Sequence, residues 1–180
     1  KKYRKELVRI KKIQDDIHDK QQATQKELDN YMSLDSMKSI FNNLDDNIDK
    51  LLLGLYIWLP PLRSDWVNVT VVGNYFVFPK FLKRKKGNIQ GSLRKKIPIQ
   101  LLSLIKFVPE IPKNNNTFSK RLVKISKKVF GKSNGINMLR KIWIHDNNNY
   151  NLEQRKILAK EMNHSVYISR LYYEKLNLSG

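Results

Sequence analysis

The 180-residue sequence contains no cysteine. Disulfide bonds, thiolate catalysis and cysteine-held metal are therefore excluded. Histidine is almost as scarce. His18, His145 and His164 are the only three and lie far apart, which argues against a histidine-rich metal centre. Long apolar runs are missing too. The longest, "LLLGLYIWLPPL", is broken by Pro60 and Pro61 and falls short of a membrane span. There is no signal-peptide pattern, and the chain opens on Lys1 instead of a methionine, so it reads as a piece of a longer protein. Acidic residues are also few, 16 against 35 Lys and Arg, for a net charge of +19.

That charge is unevenly spread. Between Lys80 and Lys141 there are 18 Lys or Arg and one acid, Glu110, a net of +17. The rest of the chain has 17 basic and 15 acidic residues, a net of +2. Such asymmetry reads as the electrostatic footprint of a polyanion partner. A solvated lysine-rich surface is the plainer alternative, but it calls for uniform enrichment. Abundant Asn, Lys and Ile also fit an AT-rich genome. A hydrophobic fraction of 41% is enough for one folded domain.

Periodicity divides the chain into helices around a short β region. Residues 3–20 place Tyr3, Leu7, Ile10, Ile13 and Ile17 on one helical face, an amphipathic helix expected to pack on another element. "QQATQKELDNY" reads as a polar connector or a short helical continuation. Ser33 is a suitable N-cap for "LDSMKSIFNNL". "DNIDKLLLGLYIWL" predicts a core helix that the two prolines terminate. "WVNVTVV", "YFVFPKFLKR" and "RKKIPIQL" predict three antiparallel strands, with a turn at Gly73–Asn74 and a lysine-rich hairpin between the second and third. "IQLLSLIKFV", "TFSKRLVKISKKVF", "GINMLRKIWIHDN", "LEQRKILAKEM" and "SVYISRLYYEKL" predict further helices. The fold class is mainly α with a small three-stranded antiparallel sheet (α+β).

A few charged and reactive side chains stand where charge is costly. Arg63 directly follows the apolar helix and double proline, in "LPPLRSDW"; pairing with Asp65 would be its ordinary structural role. Arg140 lies among Ile136, Met138, Leu139, Ile142 and Trp143, so it must reach a partner or a pocket mouth, or else snorkel to solvent. His164 suits a helix cap or a core position. Tyr172 and Tyr173 suit core packing.

In sequence order, however, "LLLGLYIWLPPLRSDWVNV", "INMLRKIWI" and "AKEMNHSVYISRLYYEK" resemble the three motif boxes of the tyrosine recombinases, or integrases. The likeness is greatest to those of large DNA viruses and virophages. It covers about residues 21 to 175. No single box is conclusive, but three in this order with a basic hairpin between the first two are more specific. The resemblance implies a helical recombinase catalytic domain over 31–180, preceded by an amphipathic helix and connector at 1–30.

What the resemblance implies chemically is site-specific DNA recombination or integration through a covalent 3′-phosphotyrosine, with no metal and no cofactor. Tyr173, nine residues after His164, would be the nucleophile. Arg63 and Arg140 would hold the scissile phosphate by their planar donor forks. His164 would donate to another phosphate oxygen. A hairpin lysine, Lys83 by choice, would protonate the leaving 5′ oxygen. Asn137 stands where the family often has a histidine base, and Asn163 where it has a glycine, so Asn163 should adopt a left-handed backbone. Lys80, Lys85, Lys86, Arg94, Lys95 and Lys141 are the expected DNA contacts. The implied partner is double-stranded DNA, with self-association into a tetramer during recombination and no membrane. The implied setting is a virus-encoded protein in a host nucleus or viral factory. Two other readings remain: a type IB topoisomerase-like enzyme relaxing supercoils, and a non-catalytic basic nucleic-acid-binding module.

Overall fold

The computed structural model describes residues 3–4, 6–10, 23–78, 93–147 and 151–164. Those residues form a mostly helical fold carrying one three-stranded antiparallel sheet.

The centre is helix α3 (Asn47–Ile57), which follows α1 (Gln25–Asn30) and α2 (Leu34–Phe41). Every residue from Leu51 to Ile57 is buried, so α3 is enclosed on all sides instead of amphipathic. Asp46 caps its start by accepting from Asp49 N–H at 2.8 Å, and Pro60–Pro61 stop its continuation. Ser33 caps α2 as its position in the sequence predicts. Gly54 lets a neighbour approach closely: a Cβ there would lie 2.4 Å from Leu101 Cδ2 and 3.0 Å from Phe41 Cε2. Gly54→Ala is accordingly expected to destabilise the protein by about 1–3 kcal/mol through overpacking, read as a lower urea midpoint.

The sheet has the order β1 (Thr70–Val72), β2 (Tyr75–Phe78), β3 (Leu93–Lys96), all antiparallel. Gly73, at φ 57°, makes the first turn. The first strand is shorter than its β-branched run predicts. Asp65–Asn68 instead forms a 3-10 turn that swings Trp66 inward against Phe76 and Phe78, edge-on, at centroid distances of 5.6 and 5.1 Å. Burial along β3 alternates, and it falls on Lys95, the register partner of Phe76.

After the sheet, Ile99–Glu110 winds as 3-10 turns instead of the expected α-helix. Leu101 and Leu104, three apart, are both buried, as the three-residue turn requires. Helix α4 (Asn115–Phe130) ends on left-handed Gly131, at φ 66°. Its Arg121 grips Asp49 of α3 through Nε at 3.1 Å and Nη2 at 2.8 Å, so this member of the basic region is committed to the fold. Helices α5 (Ile136–Asp146) and α6 (Leu152–Glu161) complete the described fold.

Residues 6–10 are helical, but Tyr3, Leu7 and Ile10 are exposed, so the described part of the N-terminal helix does not bury its apolar face in this chain. Among the described residues no helix is long and apolar enough to cross a membrane.

Candidate active site

Arg140 projects from α5 into the interior and is completely buried. It does not snorkel. Its Nη1 donates to Pro61 O at 2.6 Å and to Met162 O at 3.2 Å, and Nη2 donates to Met162 O at 3.1 Å. Pro61 lies two residues before Arg63, and Met162 two residues before His164. One guanidinium thus holds together the backbone leading into both other candidate residues. Hydrogen bonds from a charged donor contribute about 1.5–3 kcal/mol each, enough to fix these segments.

The segment around His164 is a helix end. Met162 closes α6, Asn163 takes φ 55°, and the chain folds back. Asn163 N–H donates to Lys160 O at 3.0 Å and His164 N–H to Ala159 O at 2.9 Å, the paired bonds of a Schellman motif. The left-handed conformation expected of Asn163 is therefore present, on a residue that tolerates it. His164 is buried beside this turn.

Arg63 has another environment. It is exposed and lines a cavity of about 840 Å³ together with Ser64, Asn137 and Lys141. Tyr56 donates its hydroxyl to Arg63 O at 2.7 Å and fixes the backbone there. Burial pushes the Tyr56 hydroxyl well above its usual range, so it stays a donor. Asp65 turns inward and is buried. Burial raises its carboxyl above the ordinary range, against the opposing pull of backbone hydrogen bonds, Arg140 and Arg63.

Lys95 corrects the sequence reading. It was expected as a surface phosphate contact, but it is only 7% exposed. Its Nζ points inward and lies 3.4 Å from Pro60 O. The pleat is the cause: Leu93 and Ile97 share a face with the residue between them, and that face is covered. Burial lowers the ammonium to about 8, with Glu161 opposing and Arg140 adding to the shift. Lys95 thus joins Arg140 and the Pro60–Pro61 backbone in one buried cluster. Arg94 and Lys96 take the open face, and Arg94 sits over the Tyr75 ring at 5.6 Å.

Lys141 lines the cavity, and its ammonium pairs with Glu27 of α1. Asn137 is exposed on the same cavity as Arg63. Lys80, Lys83, Lys85, Lys86, Tyr172 and Tyr173 lie outside the described residues.

The described candidates therefore fall into two linked groups. Arg63, Asn137 and Lys141 share the open cavity. Arg140, Lys95 and His164 lie inside, joined to Arg63 through the Pro60–Arg63 backbone. Sequence reasoning missed Tyr56, for which no motif signal exists, and Glu27, whose spacing from Thr24 is a capping-box signature, and it misjudged Lys95. No family model, curated protein or solved structure matches the chain.

Proposed function

We propose that this chain is a DNA strand-transferase, the catalytic region of a tyrosine recombinase acting on double-stranded DNA. The observation that carries the reading is the placement of Arg140. Its bonds to Pro61 O and Met162 O draw together three segments that the resemblance requires to meet, though they are distant in sequence. The concentrated positive charge and the cation-lined cavity beside Arg63 support a polyanionic substrate.

In this reading Arg63 binds a non-bridging oxygen of the scissile phosphate, and Arg140 sets the geometry beneath it. The Tyr173 oxygen attacks phosphorus, forming the phosphotyrosyl bond as the bond to the 5′ oxygen breaks. The tyrosine proton leaves to water, because Asn137 accepts none near neutral pH. The 5′ oxygen takes a proton from a lysine. Lys83 remains the choice from the hairpin sequence. Lys95 is the alternative among the described residues: it lies near Arg140 with an ammonium near 8, within the range useful for general acid catalysis. Strand exchange between two duplexes further requires several subunits, in keeping with the proposed tetramer.

The complete burial of Arg140 favours a second reading, a DNA-binding module without chemistry, because its donors already serve carbonyls. A nicked duplex that traps cleaved ends separates the two. Strand transfer predicts a DNA-bound species that survives denaturing gels. The binding module predicts salt-sensitive binding and no such species. Relaxation of plasmid by a monomer without a site requirement would instead indicate the topoisomerase reading.

A further inference from the structure

The cavity beside Arg63 already contains one anion, and the chain supplies it. Glu27, on α1, lines that cavity together with Lys26, Arg63 and Lys141. Its Oε1 accepts from the Lys141 ammonium, and its Oε2 accepts from Thr24 N–H at 2.9 Å. Thr24 Oγ1 in turn accepts from Glu27 N–H at 3.3 Å, completing a capping box. Burial raises the Glu27 carboxyl, but bonds to Lys141 and Thr24 outweigh it, and the net shift is downward.

The segment carrying Glu27 is tied to the loop between α4 and α5 and to the end of α5. Asn30 Oδ1 accepts from Ser133 N–H at 2.6 Å, and Lys132 Nζ donates to Asp29 O at 2.5 Å. Farther along, Tyr31 donates to Asp146 Oδ1 at 2.8 Å, and Leu34 N–H donates to Asp146 Oδ2 at 2.6 Å. The start of α5 faces the same cavity through Gly135, Ile136 and Asn137, and Gly135 offers no side-chain cap. A carboxylate therefore sits on the one cation of α5 that faces a cavity otherwise suited to phosphate.

We propose that Glu27 is an internal stand-in for a DNA phosphate. It occupies the Lys141 anion subsite while DNA is absent, and it must release Lys141 before a backbone phosphate can bind there. This rests on the reading of the chain as a DNA-binding enzyme. The strap thereby tunes affinity: a nearby phosphate competes with a tethered carboxylate for one ammonium, and wins only when other contacts hold the duplex in place.

A double-variant cycle on the full chain tests this, with a fluorescent 30-bp duplex titrated at several salt concentrations. Glu27→Gln keeps the capping box, because glutamine also accepts from Thr24 N–H, but it removes the charge. It is expected to tighten binding about five-fold at ~0.15 M salt and to steepen the log K against log[salt] slope by about 0.9, the signature of one more phosphate contact. In a Lys141→Gln background the same change should yield less than a two-fold gain. Glu27→Asp, which keeps the charge but shortens the reach, should fall between and serves if Glu27→Gln folds poorly. Glu153→Gln removes an equal charge from an exposed pair with Lys156 and should change affinity less than two-fold.

An equal gain from Glu153→Gln would overturn the proposal, as would a Glu27→Gln gain that persists without Lys141. Flat Glu27 variants on a chain that does bind duplex would overturn this proposal alone. Absence of salt-dependent binding by parent and variants alike would overturn the enzyme reading with it.

Discussion

Arg140→Met is expected to lower stability by about 3–5 kcal/mol and to abolish strand cleavage. The methionine stem can follow the same path through the core, so the loss comes from the guanidinium and not from a cavity. Without it, Pro61 O and Met162 O lose their buried charged donor. Each such carbonyl stays desolvated, which costs more than the bond alone returned when made. For a chain of this size the melting temperature should fall by roughly 10 °C or more. Arg140→Lys tests the fork. An ammonium keeps the charge, but as a single point it spans two carbonyls poorly, so it should recover only part of the stability. Urea unfolding with an unchanged slope would show that the native state itself was weakened.

Lys95→Met should act in the opposite direction on stability. At pH 7 the buried ammonium is charged in both folded and unfolded chains, and folding strips its hydration. Burial depresses its folded value to about 8, while the unfolded lysine titrates near 10.4. The difference corresponds to a cost on the order of 3 kcal/mol below pH 8, which methionine removes. Between pH 8 and about 10.4 the unfolded parent binds more protons than the folded one, so parent stability rises with pH. The advantage of Lys95→Met should therefore be largest near pH 7 and shrink toward pH 10. Paired thermal melts across that range would check it.

The same substitution should reduce strand cleavage by about 10²–10⁴-fold if Lys95 is the acid. A substrate with sulfur in place of the 5′ bridging oxygen should restore the rate, because a thiolate leaves without a proton. Lys83→Met, tested alongside, assigns the role between the two lysines. A gain in stability joined to a loss of activity is the pattern of a functional group held at energetic cost.

Much of the helical order was legible because its signals are local. Ser33, the apolar stretch ending at Pro60–Pro61, and the turn at Gly73 each act within a few residues. The left-handed Asn163 was expected from the resemblance, which implies a glycine there, and asparagine tolerates that conformation. Lys95 was not. In "LRKKI" three adjacent cations look alike by charge, and the pleat that pairs the strand with Phe76 decides which one is covered. The apolar residues at Leu93 and Ile97 carried that information through their spacing. The Glu27–Lys141 pair was out of reach altogether, because it joins positions 114 residues apart through packing that no periodicity encodes. Trp66 taught a similar lesson: its β-branched neighbours favoured a strand, and the demands of the core bent it into a 3-10 turn.

Strand transfer through a tyrosine is tested by identifying the residue joined to DNA. The chain should be incubated with a nicked duplex, denatured, digested with protease and nuclease, and the nucleotide-bearing peptide sequenced by mass spectrometry. A 3′-phosphonucleotide is expected on Tyr173, lost in Tyr173→Phe and retained in Tyr172→Phe. An adduct on Tyr172 would contradict the assigned nucleophile. DNA binding with no covalent adduct on any tyrosine would contradict strand transfer itself.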